Sequence, residues 1–150
     1  MRSGQLPEEL RETIRARIHA ADQRFTASRE RCLAVLARTG RPLTIPEIVA
    51  ADRSLATSSV YRNVIALEAL GIVHCVTTVG DFQYYELSDE LTEHHHHHLV
   101  CSNCGAVDDV AASRKLEQSL RDAARDIARR TGFRAERHRV DIIGLCGRCK

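Results

Sequence analysis

With 150 residues, 43% hydrophobic and 28% charged, the chain has the balance of a soluble folded protein, long enough for one ordinary domain or two small ones. No apolar run approaches the ~18 residues that span a bilayer, and the first ten residues hold no apolar core of the signal-peptide kind, so a membrane protein is excluded and a cytoplasmic location is expected. The net charge of +2 is unevenly laid out, with eleven arginines against eight acids over residues 1–80, five acids without a base over 81–93, and eleven bases against seven acids over 94–150. An arginine-rich first half suits a polyanion such as DNA, and equally an ordinary solvated surface.

Leu10, Ile14, Ile18 and Ala21 recur at helical spacing after Pro7. A second helix is expected over 27–39, with Cys32, Leu33, Val35 and Leu36 inward and Gly40 closing it. Thr44 followed by Glu47 reads as a capping box for a short third helix ending near Ala51. The Thr57-Ser58-Ser59 run reads as the cap of a fourth helix over 60–70, stopped by Gly71. Segments 72–78 and 82–87 are β-prone around a Gly80-Asp81 turn, the pattern of a hairpin. Helices followed by a hairpin match a winged helix-turn-helix. The composition then changes near Glu93, which divides the chain into a unit over 1–87, an acidic hinge over 88–93 and a unit over 94–150 with a long charged helix and strand pattern.

On the fourth helix, Val60, Val64 and Leu67 share one stripe that should face the core. Ser58, Ser59, Tyr61 and Arg62 then lie toward solvent. That set suits a DNA major groove: Arg pairs two acceptors of guanine, Tyr packs on a thymine methyl, and hydroxyls hold phosphates. An exposed Tyr-Arg pair on a solvated helix is the plainer reading of the same residues.

Six Cys and eight His are the compositional anomaly. Cys101-Ser102-Asn103-Cys104-Gly105 and Cys146-Gly147-Arg148-Cys149 form two CxxC pairs separated by a long helical insert. Two residues between thiolates let both sulfurs converge on one ion, and two such knuckles complete the four-sulfur shell of structural zinc. Gly105 and Gly147 would supply permissive backbone. Disulfides compete with this reading, but a reducing compartment favours zinc. Cys32, on a helix face, reads as a buried hydrophobe.

The run His94-His95-His96-His97-His98 is internal and abuts Leu99-Val100-Cys101, unlike a terminal affinity tag. In an extended chain alternate side chains face opposite ways, so His95 and His97 serve one site, and His96 and His98 another. His138 and Glu117 are candidates to complete the first. His74, Glu86 and Asp109 are candidates for the second. Shells of this kind accept Zn(II), Fe(II), Mn(II), Ni(II) or Co(II). A zinc hydrolase built on the His run would need an open coordination position and a general base. The chain carries no HExxH helix, nucleophile motif or phosphate loop, so no enzyme activity and no small-molecule substrate are expected.

These motifs together resemble the ferric uptake regulator family of bacterial metal-responsive repressors, over about residues 24–149. The resemblance rests on Ser59-Val60-Tyr61-Arg62-Asn63, Leu70-Gly71-Ile72-Val73, the His94 to Cys104 stretch and the closing CxxC. It implies an α+β fold, with an N-terminal winged helix-turn-helix followed by a small α/β dimerisation domain carrying a four-cysteine zinc site. It assigns Cys101, Cys104, Cys146 and Cys149 to structural Zn(II). It draws a regulatory site for Zn(II), Fe(II) or Mn(II) from His74, Glu86, His96, His98 and Asp109, and a dimerisation-domain site from His95, His97, Glu117 and His138. It further implies a homodimer on double-stranded operator DNA, Arg24 near the minor groove and Tyr61 and Arg62 in the major groove. His74 matches the zinc-responsive branch, although Glu86 stands where those members usually supply a Cys from the second wing strand. A peroxide-sensing regulator of the same family is the other function it allows.

Overall fold

The computed structural model describes residues 5–78, 83–92 and 96–150. Its elements follow as α1 (Glu8–Ala20), α2 (Ala27–Thr39), α3 (Ile45–Ala51), α4 (Thr57–Ala69), β1 (Val73–Thr77) and β2 (Gln83–Leu87). After these come α5 (Asp89–Thr92), β3 (His96–Cys101), β4 (Val107–Ala111), α6 (Arg114–Thr131) and β5 (Asp141–Gly144). The architecture is α+β: four helices and an antiparallel β1–β2 pair, then a three-stranded sheet ordered β4-β3-β5 in which β4 is antiparallel and β5 parallel to β3.

The helices follow from their sequences. In α1, Ile14 and Ile18 are fully buried and Leu10 packs against the same core, whereas Ala21, expected on that stripe, is the exposed C-cap. The Thr26 hydroxyl accepts the Arg29 N–H at the start of α2. That helix ends on Gly40 at φ 63, a left-handed conformation that a β-carbon disfavours. The capping box of α3 is present: the Glu47 N–H donates to Thr44 Oγ1, and the Thr44 N–H donates to Glu47 Oε2 at 2.8 Å.

The fourth helix begins three residues earlier than its hydroxyl run suggests. Ala56 is the N-cap and makes no side-chain cap, so Thr57, Ser58 and Ser59 fill the first turn. Leu55 and Val60 explain the start. They occupy the N′ and N4 positions of a hydrophobic staple, and both bury in the main core. Val60, Val64 and Leu67 have no exposed surface. Asn63 Nδ2 donates to Ser28 Oγ at 2.9 Å, tying α4 to α2.

The β1–β2 pair is extended by Leu43, which exchanges two backbone hydrogen bonds with Tyr85 at 2.9 and 2.7 Å. Its expected turn at Gly80-Asp81 lies outside the described residues. Within the stretch read as a hinge, residues 89–92 form α5, which docks on α1 through Arg17 and Glu90 at 3.6 Å, and Leu91 packs on the main core. A second, small apolar cluster of Val76, Tyr84, Val100 and Val107 joins the β1–β2 pair to the three-stranded sheet. His138, expected on the last strand, precedes it by three residues, because pairing with β3 begins only at Asp141.

Candidate metal centres and nucleic-acid interface

The four thiols converge. One sulfur from each of Cys101, Cys104, Cys146 and Cys149 lies within 4.8 Å of every other. Cys101 ends β3, and the next turn closes with the Gly105 N–H on the Cys101 carbonyl at 2.9 Å. Gly105 has φ +71, a conformation suited to glycine. Gly147, expected to need the same freedom, does not adopt a positive φ. The Cys146 N–H donates to the buried Cys101 sulfur at 3.4 Å. With the Cys104 N–H and further donors, it holds the Cys101 pKa down to about 6, which favours the thiolate form that binds metal. Cys32 is a contrast: burial pushes its thiol up to about 12, as befits a core hydrophobe.

Strand alternation separates the next two clusters. His97 is buried on one face of β3, where Glu117 Oε1 of α6 lies 3.0 Å from His97 Nε2 and 3.3 Å from His138 Nε2. The two imidazole rings are 5.9 Å apart between centroids. One carboxylate oxygen thus meets two ring nitrogens, a set that a divalent cation could share. His95, expected in this site, lies outside the described residues.

His98 turns to the other face. Its Nε2 is 2.9 Å from Glu86 Oε1 on β2 and 4.0 Å from Asp109 Oδ1 on β4. Glu86, His98 and Asp109 form one ligand-like cluster, contributed by the β1–β2 pair and by two strands of the larger sheet. Burial opposes protonation of His98, but the hydrogen bond and charge of Glu86, then Asp141 and Asp109, raise its pKa above the ordinary histidine value. Burial and the nearby Glu86 charge push the Asp109 carboxyl above its usual range. Asp109 Oδ1 is buried with no hydrogen-bond partner among the described residues. Two carboxylates beside one imidazole, one of them with an unsatisfied oxygen, fit a divalent cation.

His74 and His96 are not in that three-residue cluster. Both line the adjoining cavity of about 290 Å³, together with Glu86, His98, Arg137 and Arg139. His74 sits directly opposite Glu86 in the β1–β2 register, and Arg137 Nη1 lies 3.4 Å from its Nε2. Arg137, Arg139 and Asp141 are site neighbours that sequence reasoning missed. Nothing local announces them, since the parallel pairing of β5 with β3 places them here.

Among the DNA candidates, Ser58, Tyr61 and Arg62 are exposed on α4, with Tyr61 at 53%, while Ser59 is half-buried. Arg24 is exposed beside α2, and its carbonyl accepts from Arg29 Nη1 at 3.0 Å. α4 is therefore anchored on one stripe and open on the other.

The Ferric uptake regulator family profile matches residues 20–143. The ferric uptake regulation protein of Bacillus subtilis is 29% identical over 141 residues, spanning 91% of each chain. The zinc uptake regulation protein of Mycobacterium tuberculosis is 30% identical over 98 residues, 65% of this chain and 68% of its own. The fold is shared with the ferric uptake regulator of Helicobacter pylori, described as having three functional metal binding sites, at a TM-score of 0.74 and 24% identity over 99% of this chain and 97% of that one.

Proposed function

Because the chain belongs to the ferric uptake regulator family, we propose that this metal-responsive transcriptional regulator acts as a homodimeric cytoplasmic repressor whose operator grip depends on the Glu86–His98–Asp109 site. The observation that carries the reading is the composition of that site. Glu86 belongs to the β1–β2 pair, the wing of the winged helix, whereas His98 and Asp109 belong to the larger sheet. A divalent ion there (Zn(II), Fe(II) or Mn(II)) would neutralise the carboxylate pair and cross-link wing to sheet. His74 and His96, on the rim of the adjoining cavity, are the further ligands we assign. The His97–Glu117–His138 cluster is the second exchangeable site, and the four cysteines hold structural zinc.

The residues around the cluster explain why occupancy matters. Holding Glu86 beside His98 through a shared ion would fix the wing against the sheet, and with it α4, which packs on the same core as β1. Such a change favours DNA binding only if the closed arrangement binds the ion more tightly. A second copy is supported by the apolar surface of the C-terminal unit. Ile142, Ile143 and Leu145 are more than half exposed, Phe133 is 62% exposed, and α6 buries none of its residues. In a dimer the two α4 helices would meet half-sites about 34 Å apart.

Arg62 gives the test of DNA reading. On a duplex selected from a random library by the metal-loaded protein, Arg62→Ala should cost about 1–3 kcal/mol in a binding titration, and much less on random-sequence DNA. Equal losses on the two duplexes would restrict Arg62 to phosphate contact.

A further inference from the structure

Resting on the metal reading of the Glu86–His98–Asp109 cluster, we propose that Asp141 is a positioning residue that aims His98 at the ion. Asp141 is not one of the clustered ligands. It opens β5 and lies opposite His98 in the parallel register. Its Oδ1 is 3.1 Å from His98 Nδ1, the ring nitrogen that faces away from Glu86. A carboxylate there accepts the Nδ1–H, so the other nitrogen, Nε2, is the one turned toward Glu86 and Asp109. Asp141 is itself clamped: Arg139 Nε donates to Oδ1 and Oδ2 at 3.0 Å each, and Arg139 Nη2 donates to Oδ2 at 2.7 Å. The bidentate fork fixes the carboxylate plane, and the carboxylate fixes the ring.

Asp141 lies three residues after His138 and five before Cys146. The parallel pairing that sets its register continues through Gly144, which accepts the Ser102 N–H beside the cysteine cluster at 2.8 Å. The orientation of His98 is therefore built on a strand secured at its far end next to the thiolates. An imidazole held on one side by a clamped carboxylate loses ring-flip freedom before any ligand arrives, which lowers the cost of placing Nε2 at the ion.

The test uses the full chain with its structural zinc retained, titrated with Co(II) and followed by the ligand-field absorption that Glu86→Ala removes. Asp141→Ala should weaken that Co(II) site roughly 10- to 100-fold and alter its absorption envelope. Zinc content and melting temperature should stay at wild-type values. Asp141→Asn keeps an acceptor oxygen of the same shape, and should recover part of the affinity; it also serves if the alanine variant folds poorly. Wild-type affinity and an unchanged spectrum in both Asp141 variants would overturn the positioning role while leaving the metal site intact. A Co(II) spectrum with no component sensitive to Glu86→Ala would overturn both the site and the role.

Discussion

Cys101→Ser is expected to release the structural zinc and unfold the C-terminal unit while the helical core survives. Cys101 is the buried member of the thiol cluster, and it joins the end of β3 to the turn after β5 through the Cys146 N–H. Little else secures that region. Its apolar cluster with the wing has four residues, β5 exposes all four of its residues, and α6 buries none. Structural zinc contributes on the order of 10–16 kcal/mol in zinc-finger peptides. That is comparable to the about 5–15 kcal/mol that typically holds a whole domain together. Far-UV circular dichroism should lose strand and α6 signal, zinc content should fall by one ion per chain, and gel filtration should show loss of the proposed dimer. A variant that keeps its zinc and melts like wild type would contradict the assignment.

His98→Ala is expected to abolish metal-stimulated operator binding without unfolding the chain. The imidazole is the sole nitrogen donor in its three-residue cluster, and its removal leaves Glu86 and Asp109 facing each other across a hole. Two partly buried carboxylates with no imidazole between them repel each other, so the variant should bind DNA at saturating metal no better than metal-stripped wild type. Coupling between two ligand sites is typically about 1–3 kcal/mol, so the difference should read as a roughly 5- to 150-fold loss. Retained stimulation by metal in fluorescence anisotropy would place the switch elsewhere.

What the sequence discloses and what it withholds divide along the range of the interactions. Local signals are strong. The capping box at Thr44 and Glu47, the Gly40 stop, and the Val60, Val64 and Leu67 stripe all depend on residues within one or two turns. The same holds for the two CxxC pairs and for the alternation that sends His97 and His98 to opposite faces, because spacing alone dictates them. The pattern misleads where a distant partner decides. At the start of α4, burial of Leu55 and Val60 outweighs the capping tendency of three hydroxyls. The roles of Arg139 and Asp141 are invisible in the chain order, because parallel pairing over more than forty residues brings them to His98. His138 falls before a strand that begins only at Asp141, although its meeting with Glu117 follows the expected ligand set.

The central claim is that an ion at the junction of wing and sheet controls the grip on DNA. Its most direct test is the affinity of wild-type protein, stripped of exchangeable metal but retaining structural zinc, for the selected duplex during titration with Zn(II), Fe(II) and Mn(II). The account predicts weak binding before metal, a rise that saturates with occupancy of the Glu86–His98–Asp109 site, and reversal by chelation. Affinity that is already full in the stripped protein, and indifferent to every added metal, would contradict it.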